Sequence, residues 1–247
     1  MSSLSGKAIA ITGASSGIGE ATALACAAQG ASVALAARRA DRIEDLAARI
    51  VDQGGKAVAI ATDVADEGQA NAFVAAAQEQ LGGLDALVNN AGLMLLGAIE
   101  GADTDEWRRM IDVNLFGVLY CTHAALPVMR AAGGGHIVNV SSVAGRIASA
   151  GSGVYNLTKW GVGAFSEALR QEALEAGVRV TIIEPGAVAT ELLTHNSDAV
   201  QQMAAKRFAG VEPLQSEDIA NAIVYALAQP AHVSINEVLI RPTQQTR

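Results

Sequence analysis

The sequence predicts an α/β fold, in which one parallel β-sheet of about seven strands is covered by helices on both faces. Short runs of Ala, Val, Ile and Leu without polar alternation recur along the 247 residues, as in parallel strands buried on both faces. Stretches with helical spacing separate these runs, and turns rich in Gly, Asn and Ser follow them. Hydrophobic residues make up 51% of the chain and charged residues 17%, which allows a large core. No linker, repeat or low-complexity segment divides residues 1–247, so we expect a single domain.

The predicted elements alternate in order along the chain. The apolar runs predict strands at 8–11, 32–36, 57–61, 86–89, 136–140, 179–183 and 238–240. The first helical pattern runs from the turn after the first strand to residue 30, and others cover 41–53, 67–81, 104–132 and 216–228. A further helical pattern contains residue 155 and ends near residue 177. Asp41 is the expected N-cap of the second helix, and Gly82 and Gly83 end the third. The segment 187–210 has no clear period, which predicts an irregular lid reaching to about residue 212.

The first strand leads directly into a glycine-rich turn and then into a helix. Gly13, Gly17 and Gly19 have the spacing G-x-x-x-G-x-G rather than G-x-G-x-x-G. Backbone N–H groups at such a helix N-terminus attract anions, and glycines let a phosphate come close to the backbone. The alternative is a tight loop without a ligand. The position between a strand and a helix favours a nucleotide site.

Two arginines, Arg38 and Arg39, follow the second strand. A site that prefers NAD has an acidic residue there, about 20 residues after the glycines, to hold the ribose 2′-hydroxyl. Guanidinium groups instead pair well with phosphate, so the sequence favours NADP. The alternative is a solvated, basic start of the next helix. Asp63, after the third strand, is expected either to bind an adenine amino group or to cap a turn.

A Tyr and a Lys stand four residues apart in a helical stretch. Tyr155 and Lys159 therefore lie on one face of the helix, one turn apart. A free phenol has a pKa near ~10, and a neighbouring cation lowers it, which makes the pair a candidate acid–base group. The alternative is a half-exposed Tyr beside a solvated Lys. Ser142 follows a strand, and Asn114 lies inside a helix, where a buried amide needs partners.

The composition excludes several other classes of protein. A net charge of −8 argues against a nucleic-acid partner. Cys26 and Cys121 match no metal or redox spacing and are expected to be buried free thiols. Residues 1–7 show no leader pattern, and no stretch approaches the ~20 apolar residues of a membrane span, so we expect a cytoplasmic protein. His136, at the start of its strand, is expected to be at the surface.

These residues together resemble the short-chain dehydrogenase/reductase family along nearly the whole chain. The matching motifs are Thr12-Gly13-x-x-x-Gly17-x-Gly19, Asn89-Asn90-Ala91-Gly92, Asn114, Ser142, Tyr155-x-x-x-Lys159 and Pro185-Gly186. Each motif alone is weak, but all of them in this order are specific. The resemblance implies a Rossmann-type fold and an NADP(H)-dependent enzyme that interconverts a ketone or aldehyde and an alcohol. It also implies a homodimer or homotetramer formed through the helices at 104–132 and 154–176.

The resemblance implies roles for individual residues as well. Tyr155 donates a proton to the carbonyl oxygen, and Ser142 holds that oxygen. Lys159 lowers the pKa of the tyrosine and binds the nicotinamide ribose, while Asn114 holds a water next to Lys159. The implied cofactor contacts are Gly13, Ser15, Ser16, Gly17, Ile18, Gly19, Arg38, Arg39, Asp63, Val64, Asn90, Ala91, Gly92, Tyr155, Lys159, Pro185, Gly186, Val188 and Thr190. The implied substrate contacts are Met94, Ser142, Val143, Ala144, Tyr155, Leu192 and Leu193.

The C-terminal strand departs from the Asp-Gly-Gly ending of many relatives. It reads Asn236-Glu237-Val238-Leu239-Ile240, and with residues 90–97 it resembles the subgroup that contains clavulanic acid dehydrogenase and the short-chain serine (3-hydroxy acid) dehydrogenases. This resemblance indicates a subgroup and leaves the substrate open.

Apolar residues near the predicted nicotinamide position indicate a mainly apolar substrate pocket, although ordinary core residues are the alternative for each. They are Leu93, Met94, Val188, Leu192 and Leu193. Arg146 and His195 are either a polar handle for the substrate or surface residues. Two other functions stay open: an NADP(H)-sensing binding protein without catalysis, and a reductase of 3-ketoacyl chains on a carrier protein. The second requires a basic docking patch, for which the lid offers only Lys206 and Arg207.

Overall fold

Seven parallel strands form one sheet in the order β3-β2-β1-β4-β5-β6-β7 in the computed structural model, which describes residues 4–246. The strands are β1 (Ala8–Thr12), β2 (Ser32–Ala37), β3 (Lys56–Ala61), β4 (Ala86–Asn89), β5 (Gly135–Val140), β6 (Val178–Pro185) and β7 (Glu237–Ile240). The predicted parallel sheet is confirmed, and each strand lies within two residues of its predicted bounds. The absence of a leader pattern was inferred partly from residues 1–3, which lie outside the described residues, as does the side chain of Arg207.

Eight α-helices of the described chain cover the two faces of the sheet. They are α1 (Gly17–Ala28), α2 (Ala40–Asp52), α3 (Glu67–Leu81), α4 (Thr104–Ile111), α5 (Gly117–Ala131), α6 (Gly153–Glu172), α7 (Asp198–Arg207) and α8 (Ser216–Leu227). Successive side chains of a strand point to opposite faces, so Ile9 and Ile11 of β1 pack in one core while Ala10 packs in the other. The first core also takes residues of α1, α2 and α8, and the second takes residues of α3, α5 and α6.

Local signals set both ends of α3. Asp66 caps α3 by accepting a hydrogen bond from Gln69 N at 2.8 Å, and Gly82 ends the helix in the left-handed conformation with φ +79°. The predicted cap of α2 is wrong. Arg39 is the N-cap residue, and Asp41 lies in the first turn. There its carboxylate still favours the helix, because it faces the positive end of the helix dipole.

The predicted long helix over 104–132 is interrupted by one wider turn. Residues Asp112–Phe116 form a π-helix between α4 and α5, in which Gly117 N donates to Asp112 O across five residues. By length and composition alone, the stretch Thr104–Ala131 is apolar enough to cross a membrane. Here α5 packs against α3 and the sheet, as the core helix of a folded domain does, and such a helix passes the same test.

The predicted lid contains more regular structure than its sequence indicates. A 3-10 turn covers Glu191–His195, and α7 follows it. Periodicity did not reveal α7 because its apolar residues do not form a continuous stripe. Backbone hydrogen bonds between Ala187, Ala189 and Leu214 close the base of the lid against the domain. The prediction of an irregular segment is therefore wrong for its central part.

Both cysteines are buried, as predicted. Cys26 in α1 and Cys121 in α5 are free thiols with no exposed surface. Burial raises the pKa of each thiol to about 12, because the apolar surroundings disfavour a thiolate. They behave as small core residues.

His136 is buried, which corrects the expectation of a surface histidine. Only 3% of the residue is exposed, since β5 lies between β4 and β6. Its Nε2 lies 2.7 Å from Thr181 Oγ1, and the Thr181 hydroxyl itself donates to Ile235 O. Nε2 is therefore the donor, and Nδ1 is buried without a partner in the described part of the chain. Burial, and then the charge of Arg179, lowers the pKa of His136 to about 3.

Acidification is expected to destabilise the fold through this histidine. The unfolded chain binds a proton near pH 6.5 and the folded chain does so only near pH 3, so the free energy of unfolding falls as pH drops below 6.5. The expected loss from His136 between pH 8 and pH 5 is about 2 kcal/mol. Urea unfolding at several pH values measures it. His136→Gln, which keeps an N–H for Thr181, should flatten this slope, and His232→Gln on the surface should leave it unchanged. An equal slope in wild type and His136→Gln would contradict the assignment.

Candidate active site

The strand order reverses between β1 and β4, and a cavity of about 1050 Å³ opens at the carboxyl ends of the strands there. Its lining includes most of the site residues predicted from the sequence. These are Gly13, Ser15, Ser16, Gly17, Ile18, Arg38, Arg39, Asp63, Val64, Asn90, Ala91, Gly92, Met94, Ser142, Val143, Ala144, Tyr155, Lys159, Pro185, Gly186, Val188, Thr190, Leu192 and Leu193. Gly19 and Asn114 are buried behind this lining.

The glycine-rich turn is closed too tightly for side chains. A Cβ on Gly13, where φ is +65°, would lie 2.7 Å from Ala91 Cα, and a Cβ on Gly19 would lie 2.3 Å from Gly13 O. Asn90 fastens β4 to the turn, because its Nδ2 donates to Thr12 O at 2.9 Å and to Gly13 O at 3.2 Å. The backbone between Gly13 and Gly19 is thus held in one shape.

The turn has the chemistry of a phosphate cradle. Ser16, the N-cap residue of α1, does not cap the helix with its side chain, and Gly17 and Ile18 line the cavity. The first N–H groups of a helix lack partners within the helix and carry the positive end of its dipole. The glycines, the helix N-terminus and the cavity volume of about 1050 Å³ together fit a dinucleotide whose phosphates lie at this turn.

The two arginines after β2 differ in their contacts. Arg39 donates to Ser15 Oγ and Ser16 Oγ at 2.9 and 2.8 Å through Nη2. Its Nη1 lies 2.9 Å from Glu191 Oε2 in the lid. Arg38 is exposed at the rim of the cavity and makes no hydrogen bond to the described residues 4–246. Sequence reasoning did not find Glu191, because 152 residues separate it from its partner.

Ser142, Tyr155 and Lys159 meet at the other end of the cavity. The Ser142 hydroxyl lies near enough to the Tyr155 phenol to act on its pKa, and Lys159 Nζ lies 5.8 Å from the centre of the Tyr155 ring. Lys159 is 6% exposed and donates to Val140 O at 3.0 Å. Tyr155 and Lys159 of α6 are therefore buried beside the half-buried Ser142, which follows β5.

Burial controls the protonation of this cluster. It raises the pKa of Tyr155 to about 12, although the neighbouring Ser142 hydroxyl acts in the opposite direction. Burial also lowers the pKa of Lys159 to about 8. The pKa of Tyr155 is therefore raised and not lowered as expected from Lys159, since removing a phenolate from water costs more than the Ser142 hydroxyl returns.

The side chain of Asn114 links the backbone of Leu93, after β4, to Thr158 of α6. Its Oδ1 accepts from Leu93 N at 2.7 Å, and its Nδ2 donates to Leu93 O at 2.8 Å and to Thr158 Oγ1 at 3.1 Å. The expected need of a buried amide for partners is met in this way. The residue lies in the π-helical turn, a feature that often occurs at functional sites. Here the side chain fixes the segment after β4 against α6.

Three further polar residues lie near the site. Arg146 is exposed and does not line the cavity, in agreement with the surface alternative, and its guanidinium pairs with the buried Glu184, at 2.6 Å through Nε, and with Glu237. Asn156 was not predicted, yet it lines the cavity. Its Nδ2 donates to Ala144 O and Ile147 O, both at 2.8 Å, and so holds the loop after Ser142 against α6. His195 does line the cavity.

The end of the cavity beyond Tyr155 is mainly apolar. The predicted residues Leu93, Met94, Leu192 and Leu193 line it, together with residues that the sequence did not reveal. These additional residues are Leu96, Ile147, Val200, Met203, Phe208 and Val211, and Gln245 adds a polar group from the C-terminal segment. Several belong to α7, so the missed helix of the lid also hid part of the pocket.

Comparison with known proteins supports one family. A family model for short chain dehydrogenases matches residues 7–201. The glycine betaine reductase of Emericella nidulans is 46% identical over 242 residues, which cover 98% of this chain, and the chain spans 19% of the length of that relative. An uncharacterized oxidoreductase of Staphylococcus saprophyticus is 43% identical over 250 residues, with 100% of both chains covered.

The fold of a solved relative agrees with these matches. The closed form of a serine dehydrogenase complexed with NADP+ has a TM-score of 0.90 and 34% sequence identity, and the match covers 97% of this chain and 96% of that one. The more specific resemblance to the subgroup with clavulanic acid dehydrogenase stays a prediction. The family model, the full-length relative and the shared fold all indicate that this chain belongs to the short-chain dehydrogenase/reductase family of oxidoreductases.

Proposed function

We propose that the protein is an NADP(H)-dependent oxidoreductase that interconverts a ketone or aldehyde and the corresponding alcohol. The observation that carries the proposal is that Ser142 and the buried pair Tyr155 and Lys159 line the same cavity as the apolar residues Leu93, Met94 and Leu192. The glycine-rich turn and the arginines lie at the opposite end of the same cavity. This arrangement brings a proton donor to the place where a dinucleotide extending from the turn would present its nicotinamide.

In this proposal the chain supplies a proton and holds the reacting carbonyl. A bound reduced nicotinamide supplies the hydride. The Ser142 hydroxyl positions the carbonyl oxygen next to Tyr155, and the phenol gives its proton to that oxygen as negative charge develops. Lys159 replenishes the proton and binds the ribose next to the nicotinamide. Asn114 keeps the segment after β4 and α6 in register, and the apolar lining excludes water and takes the rest of the substrate.

Cofactor selection is assigned to the arginines after β2. Arg38 is exposed at the rim, and Arg39 contacts the serines of the turn, so both lie where a 2′-phosphate would be held if the phosphates occupy the turn. The NADP+ bound in the related serine dehydrogenase supports this preference. Asp63 and Val64, which line the cavity beside β3, would flank the adenine.

Arg38→Asp is expected to shift the preference from NADPH toward NADH. A carboxylate there repels the 2′-phosphate and accepts hydrogen bonds from ribose hydroxyls, so the ratio of kcat/KM for the two cofactors should change by roughly tenfold or more. Steady-state kinetics with both cofactors measures this ratio. Lys56→Asp is the matched control, since it makes the same charge change at the far end of the adjacent strand β3. An unchanged ratio in Arg38→Asp would remove Arg38 from this role.

The proposed reaction is tested with a panel of ketones and aldehydes, followed by NADPH absorbance with NADH in parallel. Turnover of at least one apolar carbonyl compound with NADPH supports the proposal. Tight NADPH binding without any turnover would instead favour the sensing protein. Turnover restricted to 3-ketoacyl chains on a carrier protein would favour the third function, for which Lys206 is exposed on the lid and the Arg207 side chain lies outside the described residues.

We also propose a homodimer or homotetramer in the cytoplasm. Phe116, Leu157 and Trp160 are 41%, 58% and 51% exposed, and the turn that bears Phe116 packs beside α6, which bears the other two. Such a group of exposed apolar side chains supports an interface between copies of the chain. The two unpaired thiols are consistent with a reducing compartment.

A further inference from the structure

The carboxylate of Glu191 joins two arginines at the adenosine end of the cavity. Its Oε2 lies 2.9 Å from Arg39 Nη1, and its Oε1 lies 2.9 Å from Arg42 Nη1. Arg39 follows β2, Arg42 lies in α2, and Glu191 begins the 3-10 turn of the lid. The ion pairs therefore connect the lid to the edge of the cavity near the glycine-rich turn.

These ion pairs lie across the edge of the cavity that the proposed 2′-phosphate would occupy. Arg39, Glu191, Ser15 and Ser16 all line the cavity, and Arg39 donates to both serines. Thr190, next to Glu191, also approaches the turn, because a Cβ on Gly17 would lie 3.2 Å from Thr190 Cγ2. The lid therefore contacts the glycine-rich turn next to the ion pair of Arg39 and Glu191.

Glu191 carries a negative charge under ordinary conditions. Hydrogen bonds from Arg42 and then Arg39 lower the pKa of this carboxyl to about 2. A phosphate that approaches the Arg39 guanidinium is therefore close to the Glu191 carboxylate, which is already paired with that guanidinium. Two anions on one guanidinium repel each other, and a bidentate phosphate contact requires the N–H groups that Glu191 now occupies.

We propose that Glu191 is a specificity-determining residue that competes with the 2′-phosphate of NADP(H) for Arg39. The inference rests on the proposed preference for NADP(H). When a 2′-phosphate binds, Glu191 gives up Arg39 and keeps Arg42, so part of its pairing energy is retained. A cofactor with a 2′-hydroxyl does not require this exchange, and its affinity is independent of Glu191.

Removal of the charge at residue 191 is therefore expected to strengthen binding of 2′-phosphorylated ligands only. Because Arg39, Arg42 and Glu191 are 40%, 45% and 44% exposed, the competing pair is weakened by solvent. Exposed ion pairs of this kind correspond to an affinity change of up to roughly fivefold.

The test is isothermal titration calorimetry of wild type and Glu191→Gln with NADP+, NAD+, adenosine 2′,5′-bisphosphate and 5′-AMP. Glu191→Gln should bind NADP+ and the bisphosphate about two- to fivefold more tightly and bind NAD+ and 5′-AMP as wild type does. Glu212→Gln makes the same charge change elsewhere in the lid and should alter none of these affinities.

The inference is overturned if Glu191→Gln binds the 2′-phosphorylated ligands with unchanged or lower affinity, or if it tightens NAD+ binding equally. Weaker binding would mean that Glu191 orients Arg39 for the phosphate instead of competing with it. The proposed function is judged separately, from wild type alone. Wild type that binds NADP+ no more tightly than NAD+ contradicts the cofactor preference, whatever the effect of Glu191→Gln.

Discussion

Tyr155→Phe is expected to lower kcat for carbonyl reduction by about 10²- to 10⁴-fold, the usual contribution of a general acid. The substitution removes the proton donor and leaves the ring in a buried position, 7% exposed and in contact with an apolar cluster. The folded structure and the glycine-rich turn should be unaffected. The measurement is steady-state reduction of the best substrate of the panel with NADPH, together with titration of NADPH binding.

Tyr225→Phe is the matched control. This substitution also removes a phenol hydroxyl, but Tyr225 is 57% exposed on α8 and lies outside the cavity. It should retain full activity. If Tyr155→Phe keeps more than about a tenth of the wild-type kcat, Tyr155 is not the acid, since such a loss is smaller than general acids produce. Loss of NADPH binding in Tyr155→Phe would point to a damaged site rather than to a missing proton.

Gly19→Ala is expected to weaken dinucleotide binding by roughly ten- to hundredfold, because overpacking of this kind costs about 1–3 kcal/mol. The added methyl group would lie 2.3 Å from Gly13 O and 2.5 Å from Asn90 Nδ2. The first contact is with backbone, which does not move without the turn. The backbone N–H groups proposed to hold the phosphates would then be displaced. Calorimetric titration with NADP+ measures the loss.

Gly163→Ala provides the control for a glycine inside a helix. A Cβ on Gly163 in α6 would meet no atom of the described residues within 4 Å beyond the backbone of its own helix, and the φ of Gly163 is not in the left-handed region. This variant should bind NADP+ with wild-type affinity. A Gly19→Ala protein that binds NADP+ normally would show that the turn does not hold the phosphates, whereas a general folding defect would appear in its thermal unfolding.

Burial keeps Tyr155 in its protonated form beside Lys159. Burial favours the neutral forms of both Tyr155 and Lys159, as the raised pKa of the phenol and the lowered pKa of the amine show. A neutral phenol is the form that an acid needs in carbonyl reduction. Oxidation of the alcohol requires the phenolate, which a bound nicotinamide cation would help to stabilise.

Local sequence patterns predicted the sheet and most of its helices. Each strand is a short apolar run, and Asp66 and Gly82 mark the ends of α3 through contacts with neighbouring residues. These signals are readable because the interactions that produce them lie within one element. The location of the site followed from the same patterns, since parallel strands place the turns at their carboxyl ends on one side of the sheet.

The missed features depend on contacts between distant segments. His136 is buried because β4, β6 and the carbonyl of Ile235 surround it, and no pattern near residue 136 records them. The helix α7 was missed because its sequence lacks a continuous apolar stripe. The burial of His136 at the start of β5 and the packing of α7 over the cavity both depend on residues far away in the sequence.

The sequence by itself determined the parallel α/β sheet, the glycine-rich turn, the family and many of the residues that line the site. Only the tertiary structure decided how these residues are charged and paired. The direction of the pKa shift at Tyr155 depends on how completely the fold removes it from water. The partner of Arg39 comes from Glu191, 152 residues away. Sequence motifs identify the side chains of the site, because the order of the parallel strands brings the motifs together. Burial and ion pairs between distant residues then set the protonation states and contacts of those side chains.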